Sequence, residues 1–206
     1  MAEKTSGLYR LITLPRVYDF VQRGLGATRS RIRFKEQFFP NLKNKRILEV
    51  GCGPGTWFPE MSECREYLGV DWNADHISHA NERHGGESVS FICGDVSKDI
   101  PAGATAYDFI FAFGIIHHLD DEQANSLLQA CSTLLAADGV FISVDPVYHT
   151  GQHFFARWMC DRDSGQNIRS ESEYATLTKK TFKQVETVIS TDKLRIPYSH
   201  CTVLAR

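Results

Sequence analysis

At 206 residues, with 42% hydrophobic and 23% charged content, the chain has the ordinary make-up of a soluble globular protein, long enough to bury a core in one domain. Its longest apolar run, Phe109 to Ile116, is eight residues, far short of the roughly 20 that a helical membrane span needs. The net charge of −2 conceals an asymmetry: residues 1–46 hold eleven Lys/Arg against three acids, and the remainder holds twelve against twenty-two.

A basic arm of this kind can bind nucleic acid, anionic lipid or a phosphorylated substrate. More commonly it is a solvated helix face, or a partner for an acidic body. The opening MAEKTSGLYR has no apolar h-region or cleavage site, so a cytoplasmic protein with no membrane partner is expected. Cys52, Cys64, Cys93, Cys131, Cys160 and Cys201 are scattered without a C-x-x-C pair, which predicts reduced thiols and no zinc knuckle.

In chain order, Pro15 opens a helical pattern through Leu25, ended by Gly24 and Gly26. Thr28 is placed to cap a second helix carrying Ile32, Phe34, Phe38 and Phe39, stopped by Pro40. Residues 1–45 thus read as a helical cap on the cofactor side of a sheet. Ile47 to Val50 is a short apolar strand rich in β-branched residues, and Tyr67 to Val70 is a second. Asn73 caps a helix that ends at Gly85-Gly86. Ser88 to Cys93 and Tyr107 to Phe113 read as strands, the latter nearly continuous in apolar residues, as a buried parallel strand is. Asp120 with Gln123 forms a capping box for a helix striped by Ala124, Leu127, Leu128, Cys131, Leu134 and Leu135. Val140 to Val144 is the fifth strand.

Strands alternating with helices predict an α/β fold: a mostly parallel, Rossmann-like sheet with helices on both faces. Residues 147–183 then form an acceptor-side insert. It is aromatic-rich from Gly151 to Cys160 and a polar, flexible loop from Asp161 to Gln166. Its last part is a helix that Ser170 and Glu173 cap and that runs to about Lys180. Gln184 to Ser190 and His200 to Leu204 are closing strands, with an antiparallel C-terminal one. Residues 1–206 read as a single domain.

The stretch RILEVGCGPG, Arg46 to Gly55, joins the first strand to a glycine turn. Gly51, Gly53 and Gly55 permit a tight turn and let backbone lie against a ligand. Asp71, twenty residues past Gly51, ends the second strand, where a carboxylate can accept from both hydroxyls of a ribose. This is a nucleoside-binding βαβ unit. The dinucleotide pattern G-x-G-x-x-G/A is broken by Thr56, which argues against an oxidoreductase. The spacing G-x-G-x-G behind Glu49, followed by GVDWN, FICGDV, YDFIFAFGIIHHL and LLAADGVFISVDP, resembles the class I S-adenosylmethionine (SAM) methyltransferases over roughly residues 46–146.

That resemblance implies SAM as cofactor and S-adenosylhomocysteine as product. It also implies roles. The backbone of Gly51, Gly53 and Gly55 lies under the methionine part, and Glu49 favours the positive charges of SAM. Asp71 takes the ribose, Trp72 packs on adenine, Asp95 accepts from its amino group and the Val96 amide faces the ring. The Phe113 carbonyl receives the ammonium. Paired histidines with an acid resemble small-molecule and sugar O-methyltransferases: His117 or His118 would be the base and Asp145 its orienting acid. Tyr148, His149, Arg162 and His200 are the acceptor-side candidates, with Arg169 and Arg195 as further clamps for a phosphate or carboxylate. His149 and His153 have i, i+4 spacing but no acidic or cysteine partner, so no metal is expected. KLRIPYSHC with DPVY and DRDSG resembles small bacterial methyltransferases associated with polysaccharide genes. The expected acceptor is a small-molecule hydroxyl. An RNA or nucleotide methyltransferase using the basic arm, and a non-catalytic SAM-binding module, stay as alternatives. The oligomeric state is not readable.

Overall fold

The computed structural model describes residues 27–100, 106–191 and 198–206. The elements, in chain order, are α1 (Ala27–Phe38), β1 (Arg46–Val50), α2 (Phe58–Met61), β2 (Glu66–Asp71), α3 (Ala74–His84), β3 (Val89–Cys93), α4 (Val96–Asp99) and β4 (Tyr107–Phe113). A 3₁₀ turn (Ile116–His118) leads to α5 (Asp121–Leu134) and β5 (Leu135–Tyr148). The chain continues with α6 (Phe154–Cys160), β6 (Arg169–Ser170), α7 (Glu171–Lys179), β7 (Val185–Ser190) and β8 (His200–Ala205). The helix expected from Pro15 lies outside the described residues, as does Arg195. Thr28 sits inside α1 rather than capping it.

The strands run in the order β3-β2-β1-β4-β5-β8-β7, with β6 paired to β5 alone. Pairings among β1 to β5 are parallel, and β8 runs antiparallel to both β5 and β7. The near-continuous apolar strands are explained by burial on both faces. In β1, Leu48 and Val50 face one core cluster while Ile47 faces the other. In β4, Ile110 and Ala112 join the first cluster; Phe109 and Phe111 join the second. The first face is covered by Leu127, Leu128 and Cys131 of α5 with Tyr174 and Leu177 of α7, and the second by Phe34, Met61, Ile77 and Ala80. The expected capping signals operate: the Asn73 side chain accepts from the amides of Asp75 and His76, and both predicted capping boxes form, at Asp120/Gln123 and Ser170/Glu173.

Register brings the functional ends level. Val50 pairs Val70 and Ala112, Asp71 pairs Cys93, and Phe113 pairs Val144. The carboxyl ends of β1, β2, β4 and β5 therefore share one edge, the edge where open α/β sheets bind ligands. Among the described residues, no helix is long and apolar enough to cross a membrane.

Candidate active site

The turn leaving β1 uses left-handed backbone at Gly51 (φ 73°), Gly53 (φ 52°) and Gly55 (φ 75°). Only glycine takes that conformation without strain. At Gly51 close approach adds a second reason, since a Cβ there would lie 2.0 Å from Ile115 Cδ1. At Gly53 the reverse holds: its nearest neighbour would be His76 Nδ1 at 3.9 Å, so the loop opens there onto free space. Asp71 ties this loop to β2. Its Oδ2 accepts from the Gly53 amide at 2.9 Å and its Oδ1 from the Asn73 amide at 2.9 Å. A carboxylate has about four acceptor positions, so two remain for a ligand. Trp72 next to it is 62% exposed, a large apolar face turned to solvent beside a polar loop.

Asp95 caps α4. Burial alone would raise its pKa, but the Ser97 hydroxyl and amide with Lys98 lower it below the usual carboxylate range. Val96 behind it is buried, and so is Glu49, which accepts a hydrogen bond from the Tyr67 hydroxyl. Burial raises the Glu49 pKa well above the carboxylate range, with Tyr67 and the nearby Arg31 opposing. Arg31 of α1 bonds Glu60 at 3.1 Å and lies over the Trp57 ring. The Phe113 ring packs on Trp57 at 4.3 Å between centroids, which leaves its backbone at the edge.

On the other side of the edge, His117 is buried in the 3₁₀ turn after β4. Its backbone amide donates to Asp145 Oδ1 at 3.1 Å, and its Nδ1 meets the same oxygen at 2.9 Å. Asp145 is 1% exposed, and its Oδ2 has no hydrogen-bond partner among the described residues. His117 Nε2 meets Asp163 Oδ1 at 3.2 Å. The insert loop expected to be free is therefore tied down. Asp163 also accepts from the Gly165 amide at 2.8 Å and, through Oδ2, from the Tyr198 hydroxyl at 2.7 Å, while the Asn167 amide donates to the His117 carbonyl at 2.9 Å. Burial pulls the His117 pKa down, yet the two carboxylates outweigh it and lift it to about 9. Asp163 is held well below the usual carboxylate range: burial opposes this, and the bonds from His117, Gly165 and Tyr198 decide it. The His118 ring lies 4.1 Å from that of His117.

The chain is similar to known proteins. Residues 47–139 match a family model described as a methyltransferase domain. The chain is 28% identical over 117 residues to a ubiquinone biosynthesis O-methyltransferase of Pectobacterium atrosepticum, covering 55% of this chain and 48% of that one. It is 32% identical over 82 residues to a tRNA U34 carboxymethyltransferase of Pseudomonas fluorescens, covering 38% of this chain and 26% of that one. In fold it resembles the pyocyanin biosynthetic protein PhzM, with a TM-score of 0.73 at 18% identity, over 98% of this chain and 62% of that chain. The chain carries a class I SAM-dependent methyltransferase domain. It spans about half the length of the ubiquinone-pathway relative it matches.

Residues of the methyltransferase domain fit SAM as its cofactor. Space stands open above Gly53, Asp71 keeps two acceptor positions, and Trp72 presents a bare ring. The acceptor-side candidates scatter more. The Tyr148 hydroxyl donates to Asp161 at 2.9 Å, and His149 Nε2 meets the Ser199 hydroxyl at 3.0 Å. Arg162 stacks on Trp158 at 4.3 Å, and His200 pairs Pro146 across β5 and β8. Arg169 is not a free clamp: it is buried and bonds Asp121 at 2.7 Å and the carbonyls of Ile116, Leu119 and Asn167. His153 caps α6, its Nδ1 accepting from the Phe155 amide. Sequence reasoning missed Asp163. The DSG turn was a local cue, because an Asp two residues before glycine often accepts from its amide. Nothing local indicated that His117 would be its partner.

Proposed function

We propose that the chain transfers the methyl group of SAM to a hydroxyl oxygen of a small molecule, a metabolite or sugar derivative, releasing S-adenosylhomocysteine. The observation that supports an oxygen acceptor is the buried cluster of His117, Asp145 and Asp163 at the end of the glycine-loop edge. A hydroxyl must lose its proton as the new bond forms, and imidazole with carboxylate is suited to handle it. SAM supplies a methyl group already activated by the sulfonium. The protein contributes alignment, holding oxygen and carbon about 3 to 3.5 Å apart, an effect worth several kcal/mol.

In this reading Asp71 holds the ribose, and Trp72, Asp95 and the Val96 amide hold adenine. The Gly51, Gly53 and Gly55 backbone and the Phe113 carbonyl serve the methionine end, with Glu49 buried behind the loop against Tyr67. Asp145 orients His117, and His117 or its neighbour His118 is the base, with Tyr148, His149, Arg162 and His200 on the acceptor side. Residues 147–183 are the acceptor-side insert of one domain spanning residues 1–206. None of the six cysteines is in a disulfide, which suits the reducing cytoplasm.

A second reading, methylation of RNA, is favoured by the tRNA-acting relative and by the basic charge of residues 1–46. Part of that charge is spent within the molecule. Arg31 pairs Glu60, Lys35 pairs Glu63, Lys45 pairs Asp108 and Arg46 pairs Glu66. The test is to incubate the protein with SAM and either hydroxylated small molecules or tRNA, and to follow S-adenosylhomocysteine by mass spectrometry. Turnover of a hydroxylated small molecule that Asp71→Ala abolishes is expected. Turnover on tRNA alone, with binding that weakens steeply with salt, would replace the reading by the second one.

A further inference from the structure

Each ring nitrogen of buried His117 meets a carboxylate, so Nε2 takes an acceptor proton only when its contact with Asp163 opens. The same arrangement also has the form of a metal site. Among the described residues, one group offers donor atoms of His, Cys, Asp or Glu close enough to share a cation: His117, His118 and Asp163, whose donor atoms all lie within 4.8 Å of one another. We propose that these three side chains bind a divalent first-row transition-metal ion on the acceptor side of the crevice, leaving coordination positions for the acceptor's oxygen.

Three observations carry the assignment. The first is spacing. Imidazole nitrogen and carboxylate oxygen bind such ions at about 2.0 to 2.2 Å, so two of them on one ion stand roughly 3 to 3.5 Å apart. His117 Nε2 and Asp163 Oδ1 stand 3.2 Å apart. The second is the layer of groups behind the ligands. Asp145 on Nδ1 fixes the tautomer that leaves Nε2 for an ion, as metal-bound histidines are commonly held. On the far side, the Tyr198 hydroxyl and the Gly165 amide orient the Asp163 carboxylate. The third is charge. Asp145 and Asp163 set two carboxylates about one imidazole, and Asp145 is 1% exposed with an Oδ2 that has no hydrogen-bond partner among the described residues. A doubly charged ion balances two carboxylates, which relieves the cost of burying them. Two imidazoles and one carboxylate select zinc, manganese, iron, cobalt or nickel over magnesium or calcium.

The role of such an ion rests on the methyl-transfer reading: it would polarise a bound hydroxyl and ease loss of its proton to the base. Its binding stands apart from that reading, so the test measures binding. Untagged protein freed of metal by a chelator is titrated with Co²⁺ and Zn²⁺ by calorimetry, and the visible spectrum of the Co²⁺ form is recorded. One ion per chain is expected, with cobalt absorption bands in the visible. His118→Ala, at the more open end of the group, should weaken binding at least tenfold, as should Asp163→Asn. Asp145→Asn, a positioning variant, should weaken it by roughly 10- to 100-fold. Circular dichroism separates these effects from unfolding, and calorimetry with S-adenosylhomocysteine on the same samples reports the cofactor half independently. Absence of stoichiometric ion binding by the wild-type chain overturns the proposal, as does unchanged affinity in both His118→Ala and Asp163→Asn. Ion binding without S-adenosylhomocysteine binding would instead leave the metal site standing and remove the methyl-transfer reading.

Discussion

Replacing Asp71 tests the cofactor half of the site most directly. Its two oxygens each accept one backbone amide, from Gly53 and Asn73, both at 2.9 Å, which leaves two acceptor positions for the ribose hydroxyls. Hydrogen bonds to a charged acceptor contribute roughly 1.5 to 3 kcal/mol each, so losing both ribose bonds should cost about 3 kcal/mol or more. At about 1.4 kcal/mol per tenfold change, Asp71→Ala should weaken S-adenosylhomocysteine binding by at least about 100-fold. Asp71→Asn keeps one acceptor oxygen, so it should lose about tenfold. Asp71→Ala also frees two loop amides, which half-exposed positions recover partly from water; a stability loss of about 1 to 2 kcal/mol, or roughly 2 to 8 °C in Tm, should accompany it. Calorimetry well below that Tm keeps the two effects apart. An Asp71→Ala protein that binds within threefold of wild type would refute the ribose assignment, however much its Tm had moved.

Trp72 is 62% exposed, so Trp72→Ala should leave thermal stability nearly unchanged while weakening S-adenosylhomocysteine about tenfold, in line with roughly 1 to 3 kcal/mol for stacking on a base; calorimetry and a melting curve read the two quantities. Gly51→Ala puts a Cβ 2.0 Å from Ile115 Cδ1 on a backbone at φ 73°, and urea unfolding should register a loss of about 2 kcal/mol or more, which Ile115→Ala in the same chain relieves only in part because the backbone strain persists. Asp108 joins β4 to the start of β1. Burial opposes ionisation there, but the Arg46 amide and Lys45 outweigh it and lower its pKa below 3.8. Its stabilising contribution is therefore complete above the unfolded-state pKa and is lost as pH falls through the lower folded one. Acid unfolding should lose this component in Asp108→Asn, whose stability at neutral pH should also be lower.

The glycine turn and the position of Asp71 were legible in the sequence because backbone makes them. Positive φ at Gly51, Gly53 and Gly55 and the placement of Asp71 at the end of β2 are local consequences of residue type, so spacing alone exposed them. Strand alternation between two cores was equally readable from Ile47 to Val50 and from Tyr107 to Phe113. Thr28 misled because a residue type that favours caps was read without knowing that the chain was already helical before it. Arg169 misled for a different reason: an arginine in a polar stretch reads as exposed, while this one is spent on Asp121 and three carbonyls.

The acceptor half obeys another rule. His117 and Asp145 were singled out at the ends of β4 and β5, but what makes the site chemically specific is that Asp163, from a loop in residues 147–183, closes on the remaining nitrogen. Such a contact joins side chains far apart in sequence, and no periodicity or turn signal encodes it. It also sets how the two halves differ in tolerance. A change in the glycine loop acts on backbone shape at the carboxyl end of β1. A change at Asp163, Gly165 or Tyr198 acts on the side chains around His117 Nε2. Substitutions in the loop around Asp163 should therefore redirect acceptor chemistry while the affinity for S-adenosylhomocysteine stays where the β1 turn and Asp71 put it.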